Sequence, residues 1–517
     1  MMKENKNIIG KLLYCTILLL SASVLWIASF NGYNVSAGSK KIVTEVDFID
    51  KEYDVQEFGF EINETVGSAR SDKYFGWLCK IDDRFQILYS KNGKKFYRSD
   101  LEKKIRKELP IEKDTTIKCY QITQYDDVFY ICFEEFHRDE DAYGYYGNPD
   151  DCDYTCDYLN YYVAETKDFK SYKFHYMCTK DYPLKEVSNL DFRENPKLYK
   201  AQGLFFYMFE CSYIHPGIRY NYYDEFIRTR DPIGYYGTNL EMKDMQQVLF
   251  EEYLEYDPEI FDDRVYTYLY TIVENSKLRL LISLQHDYEY SIYVDPNDKE
   301  ELKKHKTNTV YEYVSDIGSL INESVKRKYT YIQWDLVEKH DSIHLMEGEY
   351  EKFYTIAWND TDNLYGISGI SGTDTRYTFT FPLGESVSPG DYFDVYDLAI
   401  YSNIVTAKKN KKGEISYKGL IFIPLSRKQA YSMNSKGKIS KIELPFALDE
   451  SYGPTCTNTK KGISAFFYEW CVYYSSDGFK TCKQLYAPYQ MNHFVDIETY
   501  GNYLYVLARN EIYRLKF

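Results

Sequence analysis

The 517-residue chain is short of the residues that ready-made chemistry needs. Its eight histidines (137, 175, 215, 286, 305, 340, 344 and 493) are scattered, and no CxxC pair or Cys/His cluster has zinc spacing. Neither a Gly-x-Ser-x-Gly motif nor a phosphate-binding P-loop occurs, so nothing local supports a serine hydrolase or an NTPase. Arginine is scarce, at 16 residues, and the formal net charge is −16. A surface that grips phosphates needs clustered Lys and Arg, so nucleic acid is not expected as a partner. No cofactor is expected on the same grounds. What the chain does have is tyrosine: 58 residues, within 18% aromatics and 44% apolar residues overall. Tyr favours strands and suits half-buried faces, because its ring packs while its hydroxyl stays wet.

Residues 1–37 read as a targeting segment. Lys3, Lys6 and Lys11 precede an apolar run from Leu12 to Phe30, and Val35-Ser36-Ala37 forms a small-x-small cleavage pattern. At 19 residues the run is long for a signal peptide and nearly long enough to span a bilayer. Cleavage after Ala37 gives a secreted chain. Retention gives an outward-facing protein whose contact with membrane is this anchor. Residues 38–517 read as one domain.

Ten cysteines follow Ala37, an even number that permits disulfides in an exported chain. Cys152 and Cys156 could close a small loop, and Cys471 and Cys482 fall symmetrically about a turn at Ser476-Asp477. The blander reading is that most are buried core residues.

One hairpin form recurs. "CVYYSSDGFKTCKQLY" (471–486) runs strand, polar turn, strand. So do "FQILYSKNGKKFY" (85–97), "YYVAETKDFKSYKF" (161–174), "FIRTRD" (226–231) and "QAYSMNSKGKISKIELP" (429–445). In each, a short side-chain acceptor folds back onto backbone N–H groups, or Gly supplies a positive φ. Recurrence through a strand-rich chain signals radial or linear repetition.

"SSDGFKTC" resembles the Asp-box, or BNR repeat, of sialidase-like β-propellers, whose pattern is S-x-D-x-G-x-T-W. Ser475, Asp477 and Thr481 match, whereas Phe479 and Cys482 replace Gly and Trp. The resemblance covers only a few short segments. It implies that Ser475, Asp477 and Gly478 hold a structural turn between the third and fourth strands of a blade, away from the ligand face.

Strand-like runs at 127–136, 203–213, 264–273, 278–285, 328–337, 419–426, 462–470 and 502–517 support an all-β propeller of about seven four-stranded antiparallel blades, six to eight bracketing the count. One helix is expected at 241–256, where Met245, Val248, Leu249, Tyr253 and Leu254 share a face. Residues 286–327 read as a charged excursion. Because the chain ends on a strand, a closing blade shared between both termini is expected.

If the recurrent turn joins the third and fourth strands, the loop joining the second and third lies on the opposite face. Two such loops are long: 137–157 and 213–225. The candidate ligand-binding residues are Tyr143, Tyr145, Tyr146, Asp150, Asp151, Asp153, His215, Arg219, Tyr222, Tyr223 and Asp224. Tyr rings stack on sugars and carboxylates accept from hydroxyls, so the expected ligand is a glycan, or else an extracellular protein. In so Tyr-rich a chain, such loops are also what composition alone would produce. The Asp150–Asp157 run has oxygen ligands for Ca²⁺ but lacks the Gly and Glu of an EF-hand loop. An alternative is a glycoside hydrolase, which needs paired carboxylates. The arginine triad and the Arg-Ile-Pro motif of sialidases are not evident.

Overall fold

The computed structural model describes residues 33–34, 42–43, 45–48, 54–111, 115–137, 157–182, 194–211, 218–221, 226–229, 232–249, 251–253, 265–274, 276–286, 308–323, 335–342, 344–347, 354–359, 364–371, 375–382, 401–409, 415–422, 429–433, 439–443, 452–458, 463–468, 471–475, 481–486 and 494–516. Strands dominate the described residues and, apart from a three-stranded side sheet and three short N-terminal strands, they group into eight units of four.

Blade 1 comprises Ile62–Arg70, Phe75–Ile81, Arg84–Ser90 and Phe96–Ser99. Blade 2 comprises Thr116–Tyr125, Val128–His137, Asp157–Thr166 and Lys173–Tyr182. Blade 3 uses Glu194–Ala201, Leu204–Cys211, Gly234–Gly237 and Gln246–Val248. Blade 4 uses Val265–Glu274, Lys277–His286, Asn308–Asp316 and Asp335–Ser342. Blade 5 begins at the short strand His344–Glu347 and ends at Thr375–Pro382. Blade 6 runs from Tyr401–Lys409 to Ile439–Glu443, and blade 7 from Tyr452–Asn458 to Thr481–Tyr486. Blade 8 takes Phe494–Tyr500, Tyr503–Ala508 and Glu511–Lys516 from the C-terminus and Asp54–Glu57 from the N-terminal side.

The units close a ring. The first strand of blade 1 lies beside that of blade 2, and the series continues from 2 to 3 and from 3 to 4. It resumes from 6 to 7 and from 7 to 8, and the first strand of blade 8 returns to that of blade 1. Blade 5 bridges the gap, touching the fourth strand of blade 4 and the first of blade 6. This is a β-propeller, with the expected closing blade shared between distant parts of the chain.

Period-two alternation explains where the core sits. On the second strand of blade 2, Phe129, Ile131 and Phe133 turn toward blade 1, into a cluster with Leu78, Ile87 and Phe169. Tyr130 and Cys132 turn the other way, to Leu198, Phe205, Tyr207 and Phe209 of blade 3. These two seams are thus separate apolar layers, and blade 2 is buried on both faces.

Several expectations need correction. The described residues of 241–256 form no α-helix. Met242–Asp244 form one 3₁₀ turn, and Gln246–Val248 ladder onto Gly234–Tyr236 as the outer strand of blade 3. Its apolar spacing suited either state, and the unpaired edge of Gly234–Gly237 decided for strand. Among the described residues the α-helices are Leu101–Glu108 and Ile317–Glu323. In the first, Asp100 caps the Lys103 N–H, Leu101 and Ile105 are buried, and Glu102 pairs with Arg106. The excursion at 286–327 holds the third strand of blade 4. Cys471 stands opposite Tyr486, not Cys482, because the ladder is centred further along the chain. Its sulfur is a free thiol that accepts from Gln484 Nε2 (3.1 Å). Cys152 and Cys156 lie outside the described residues.

Candidate ligand-binding face

The recurrent turns are the compass for this site. At 90–93 and 166–168 they join the third and fourth strands of blades 1 and 2; those at 434–437 and 475–478 lie between the third and fourth strands of blades 6 and 7. In blade 2 the Thr166 hydroxyl accepts from the Phe169 N–H (3.0 Å), and Asp168 Oδ1 accepts from the N–H groups of Lys170 (2.9 Å) and Ser171 (3.1 Å). Partial burial pushes the Asp168 carboxyl up, but those donors and the Lys170 charge outweigh it and hold the group below its usual range. In blade 1, Asn92 accepts from the Lys94 N–H (3.0 Å) and Gly93 takes φ +72°. Ser475 is buried at the end of the third strand of blade 7. Asp477 and Gly478 lie outside the described residues.

Thr229-Arg230-Asp231 does not follow this rule. Phe226–Thr229 pairs with Ile218–Asn221 and Glu251–Tyr253 in a three-stranded side sheet. Two of its strands precede the third strand of blade 3 and Glu251–Tyr253 follows the fourth, so the chain after Thr229 leads into the third strand. Gly237 and Gln246 bracket the corresponding turn of blade 3, where Asn239 Oδ1 accepts from the Glu241 N–H (2.8 Å). "FIRT" has the composition of a blade strand, but its partners are local.

The opposite ends of the blades carry the second-to-third connections. Blades 2 and 3 run in register there. Tyr130, near the start of the second strand of blade 2, packs on Phe205, near the start of that of blade 3 (5.5 Å between centroids). Tyr161, paired with Glu134 near the strand end, packs on Phe209 (5.0 Å), also near its strand end. Both second strands therefore point the same way, and the connections 138–156 and 212–233 leave the same face on adjacent blades. The same strand order puts 287–307 of blade 4 at that end as well. Blade 1 closes with two residues, Asp82 and Asp83, both at positive φ (50° and 61°). Long connections are thus grouped on blades 2, 3 and 4.

Tyr143, Tyr145, Tyr146, Asp150, Asp151 and Asp153 lie in the blade 2 connection and outside the described residues, as do His215, Tyr222, Tyr223 and Asp224 in that of blade 3. Arg219 is on the side sheet, paired in register with Arg228. Among the described residues no group of His, Cys, Asp and Glu forms a metal site. The Asp150–Asp153 part of the suggested Ca²⁺ run is outside them.

Sequence reading missed the carboxylates beneath this face. Glu135 accepts from Asn160 Nδ2 (3.1 Å) and the Tyr162 hydroxyl (3.3 Å). Glu210 is gripped by Lys197 (2.7 Å), the Tyr199 hydroxyl (3.2 Å) and the Thr271 N–H (3.2 Å). Both are buried. The signal was present: "FEEF" and "MFEC" put an acid inside apolar strands, where it persists only when paired. Glu210 is bonded at both oxygens and Glu135 at Oε2, all by groups of the propeller itself.

No family model matches the chain, and no curated protein matches it. Among solved structures it is similar to the WD40 domain of SCAP from fission yeast, at 8% identity and a TM-score of 0.40, covering 90% of this chain and 98% of that one. It is also similar to the Bombyx mori GH32 β-fructofuranosidase BmSUC1, at 11% identity and 0.27, covering 88% and 90%. A third is xylan β-1,4-xylosidase from Bacillus halodurans C-125, at 8% and 0.23, covering 89% and 95%. Superpositions this loose carry no weight on function, and the ring stands on its own strand order.

Proposed function

We propose that the chain is an exported β-propeller that binds a glycan, or another extracellular ligand, on the face built by blades 2, 3 and 4, without turning it over. The observation that supports this is the grouping of long, Tyr- and Asp-rich connections at one end of consecutive blades, beside a blade that closes that end with two residues. Aromatic rings there would stack on sugar faces, and the acidic side chains would accept from hydroxyls. The binding reading is preferred to hydrolysis because Glu135 and Glu210, the buried acids beneath the face with partners described above, are held by internal donors.

Glycan-array screening of wild type against a Tyr145→Ala/Tyr222→Ala double variant tests the proposal. Each lost ring is expected to weaken binding by about 1 kcal/mol, roughly fivefold, without lowering the melting temperature. Absence of binding to any glycan would remove the carbohydrate reading. Release of aglycone from chromogenic glycosides would replace binding with hydrolysis.

A further inference from the structure

The N-terminal segment ladders onto the outer rim of four consecutive blades. Tyr33–Asn34 pair in parallel with Phe379–Thr380 on the fourth strand of blade 5. Ile42–Val43 pair in parallel with Ile442–Glu443 of blade 6, and Glu45–Phe48 with Thr481–Gln484 of blade 7. Asp54–Glu57 then complete blade 8. The segment is a strap that supplies an outermost strand to each of these blades. Its first rung, Tyr33–Asn34, lies upstream of Val35-Ser36-Ala37. Cleavage after Ala37 would discard that rung, leaving the fourth strand of blade 5 as an outer edge like those of blades 1 and 2 and taking blade 5 out of the strap that blades 6, 7 and 8 share.

We propose that the apolar run Leu12–Phe30 is retained as a membrane anchor, and that the strap holds the outer rim of blade 5 against the lipid bilayer. This goes beyond the ligand-face reading and does not depend on it. As a helix, the 19 residues rise about 28 Å, against a hydrocarbon core of about 30 Å. Lys3, Lys6 and Lys11 flank one side of the run, which keeps that end cytoplasmic and the propeller outside. From Phe30 to Tyr33 is three residue steps, at most about 11 Å of chain. The rung on Phe379 therefore cannot lie further than that from the end of the anchor. In a ring of eight, blade 1 is opposite blade 5 and points away from the lipid. The propeller stands on its rim with its axis along the membrane plane. The face on blades 2–4 opens sideways and is not pressed to the membrane.

The test uses the full chain in vesicles of phosphatidylethanolamine and phosphatidylglycerol. A photo-crosslinking residue replaces Tyr377 or Thr378 on blade 5, neighbours that sample both sides of the strand. A control replaces Tyr97 on the outer strand of blade 1. Mass spectrometry should find residues 1–37 intact in the membrane fraction, with lipid adducts at 377 or 378 at least tenfold above those at 97. A mature chain beginning at Gly38, or equal adducts on blades 5 and 1, would overturn the proposal. Tyr33→Pro, which leaves the anchor untouched, should keep the chain in the membrane and abolish the blade 5 preference; an unchanged preference would also overturn it. Glycan binding is read separately on detergent-solubilised chain, so failure of either proposal leaves the other standing.

Discussion

Between blades 8 and 1, polar bonds are threaded through the apolar layer. The Trp77 indole N–H donates to Asp496 (2.9 Å), the Ser68 hydroxyl to Glu498 (2.6 Å), Arg70 to the Thr499 carbonyl, and the Tyr505 hydroxyl to the Gly93 carbonyl (3.0 Å). Gln56, from the N-terminal strand of blade 8, both donates to the Phe96 carbonyl (3.0 Å) and accepts from its N–H (2.9 Å). Rings meet across both seams: Phe75, Trp77 and Phe96 pack on Tyr505 between blades 1 and 8, and between blades 2 and 3 Tyr130 packs on Phe205, Tyr161 on Phe209 and Lys180 over the Phe209 face (3.7 Å), with Lys173–Glu241 and Lys200–Asp126 ion pairs beside them. The polar pins there include Gln121 Oε1 accepting from the Leu198 N–H (2.7 Å) and the Tyr125 hydroxyl donating to the Leu198 carbonyl (3.1 Å). Blades 2 and 3 are neighbours in sequence and meet whenever the chain collapses. The C-terminal strands of blade 8 meet blade 1 across more than 400 positions of chain. Non-directional burial would accept many partners and registers for such a closure, whereas directional bonds accept one.

The largest effect should come from truncating a ring in each seam. Trp77→Ala and Phe209→Ala should each cost about 3–5 kcal/mol in denaturant unfolding, since both side chains are fully buried. Gentler variants separate the seams. Trp77→Phe keeps most of the volume but leaves Asp496 without the indole donor, and should cost about 1–3 kcal/mol. Phe209→Leu keeps the chemistry and should cost under about 1.5 kcal/mol. If Trp77→Phe proves the cheaper, the polar character of the closure does not stabilise it.

Gly93→Ala is next. Its backbone is at φ +72°, and an added Cβ would collide with the Tyr505 hydroxyl. The cost should be about 1–3 kcal/mol. It should shrink in a Tyr505→Phe background, where the colliding atom is gone. Equal penalties in both backgrounds would mean that the turn does not abut Tyr505.

A smaller loss, about 1 kcal/mol, is expected for Asp168→Ala, which removes two backbone acceptor bonds at an exposed turn far from the closure. A thermal melt measures it, and ligand binding should be unaffected.

The smallest contrast is in pH. The depressed Asp168 carboxyl contributes stability that is complete above its unfolded value of about 3.9 and is lost as pH falls through the folded value. The gap between wild type and Asp168→Asn should therefore close in acid. Glu498 behaves oppositely. Burial raises it, against the pull of Arg70 and the Ser68 hydroxyl, so its ionised form is a cost near neutrality. Glu498→Gln should gain on wild type at neutral pH, and the gain should fade as pH drops toward about 4.3. A gain that persists in acid would remove the assignment.

The turns made the propeller legible, because their chemistry is local: Ser, Thr, Asn or Asp beside a sharp reversal carries its own reason. Four of five such hairpins lie between third and fourth strands, and the deduction about the opposite face followed from that. What failed depended on distant partners. His344–Glu347 is a four-residue strand without an apolar run, so blade 5 was hard to count. Gln246–Val248 became a strand through its ladder to Gly234–Tyr236. The third strand of blade 4 hid in a charged stretch because Leu280, Leu281 and Ile282 on its neighbour supply the burial. The helix Leu101–Glu108 was readable from its Asp100 cap and its Glu102–Arg106 pair, and was overlooked beside stronger strand signals. For the site, the position of the two loops was legible. The buried Glu135 and Glu210 stood out in their strands but were not read.

Closure of the ring by the N-terminal strand is the claim on which the rest depends. Asp54 and Arg514 are register partners that also form an ion pair across this junction. Replacing both, as Asp54→Cys/Arg514→Cys, places two thiols at the seam. Oxidation should give an intramolecular 54–514 cross-link in monomeric protein, seen by peptide mass spectrometry, and should raise the denaturation midpoint by constraining a very long loop. Cross-links only between molecules, or none, would contradict it.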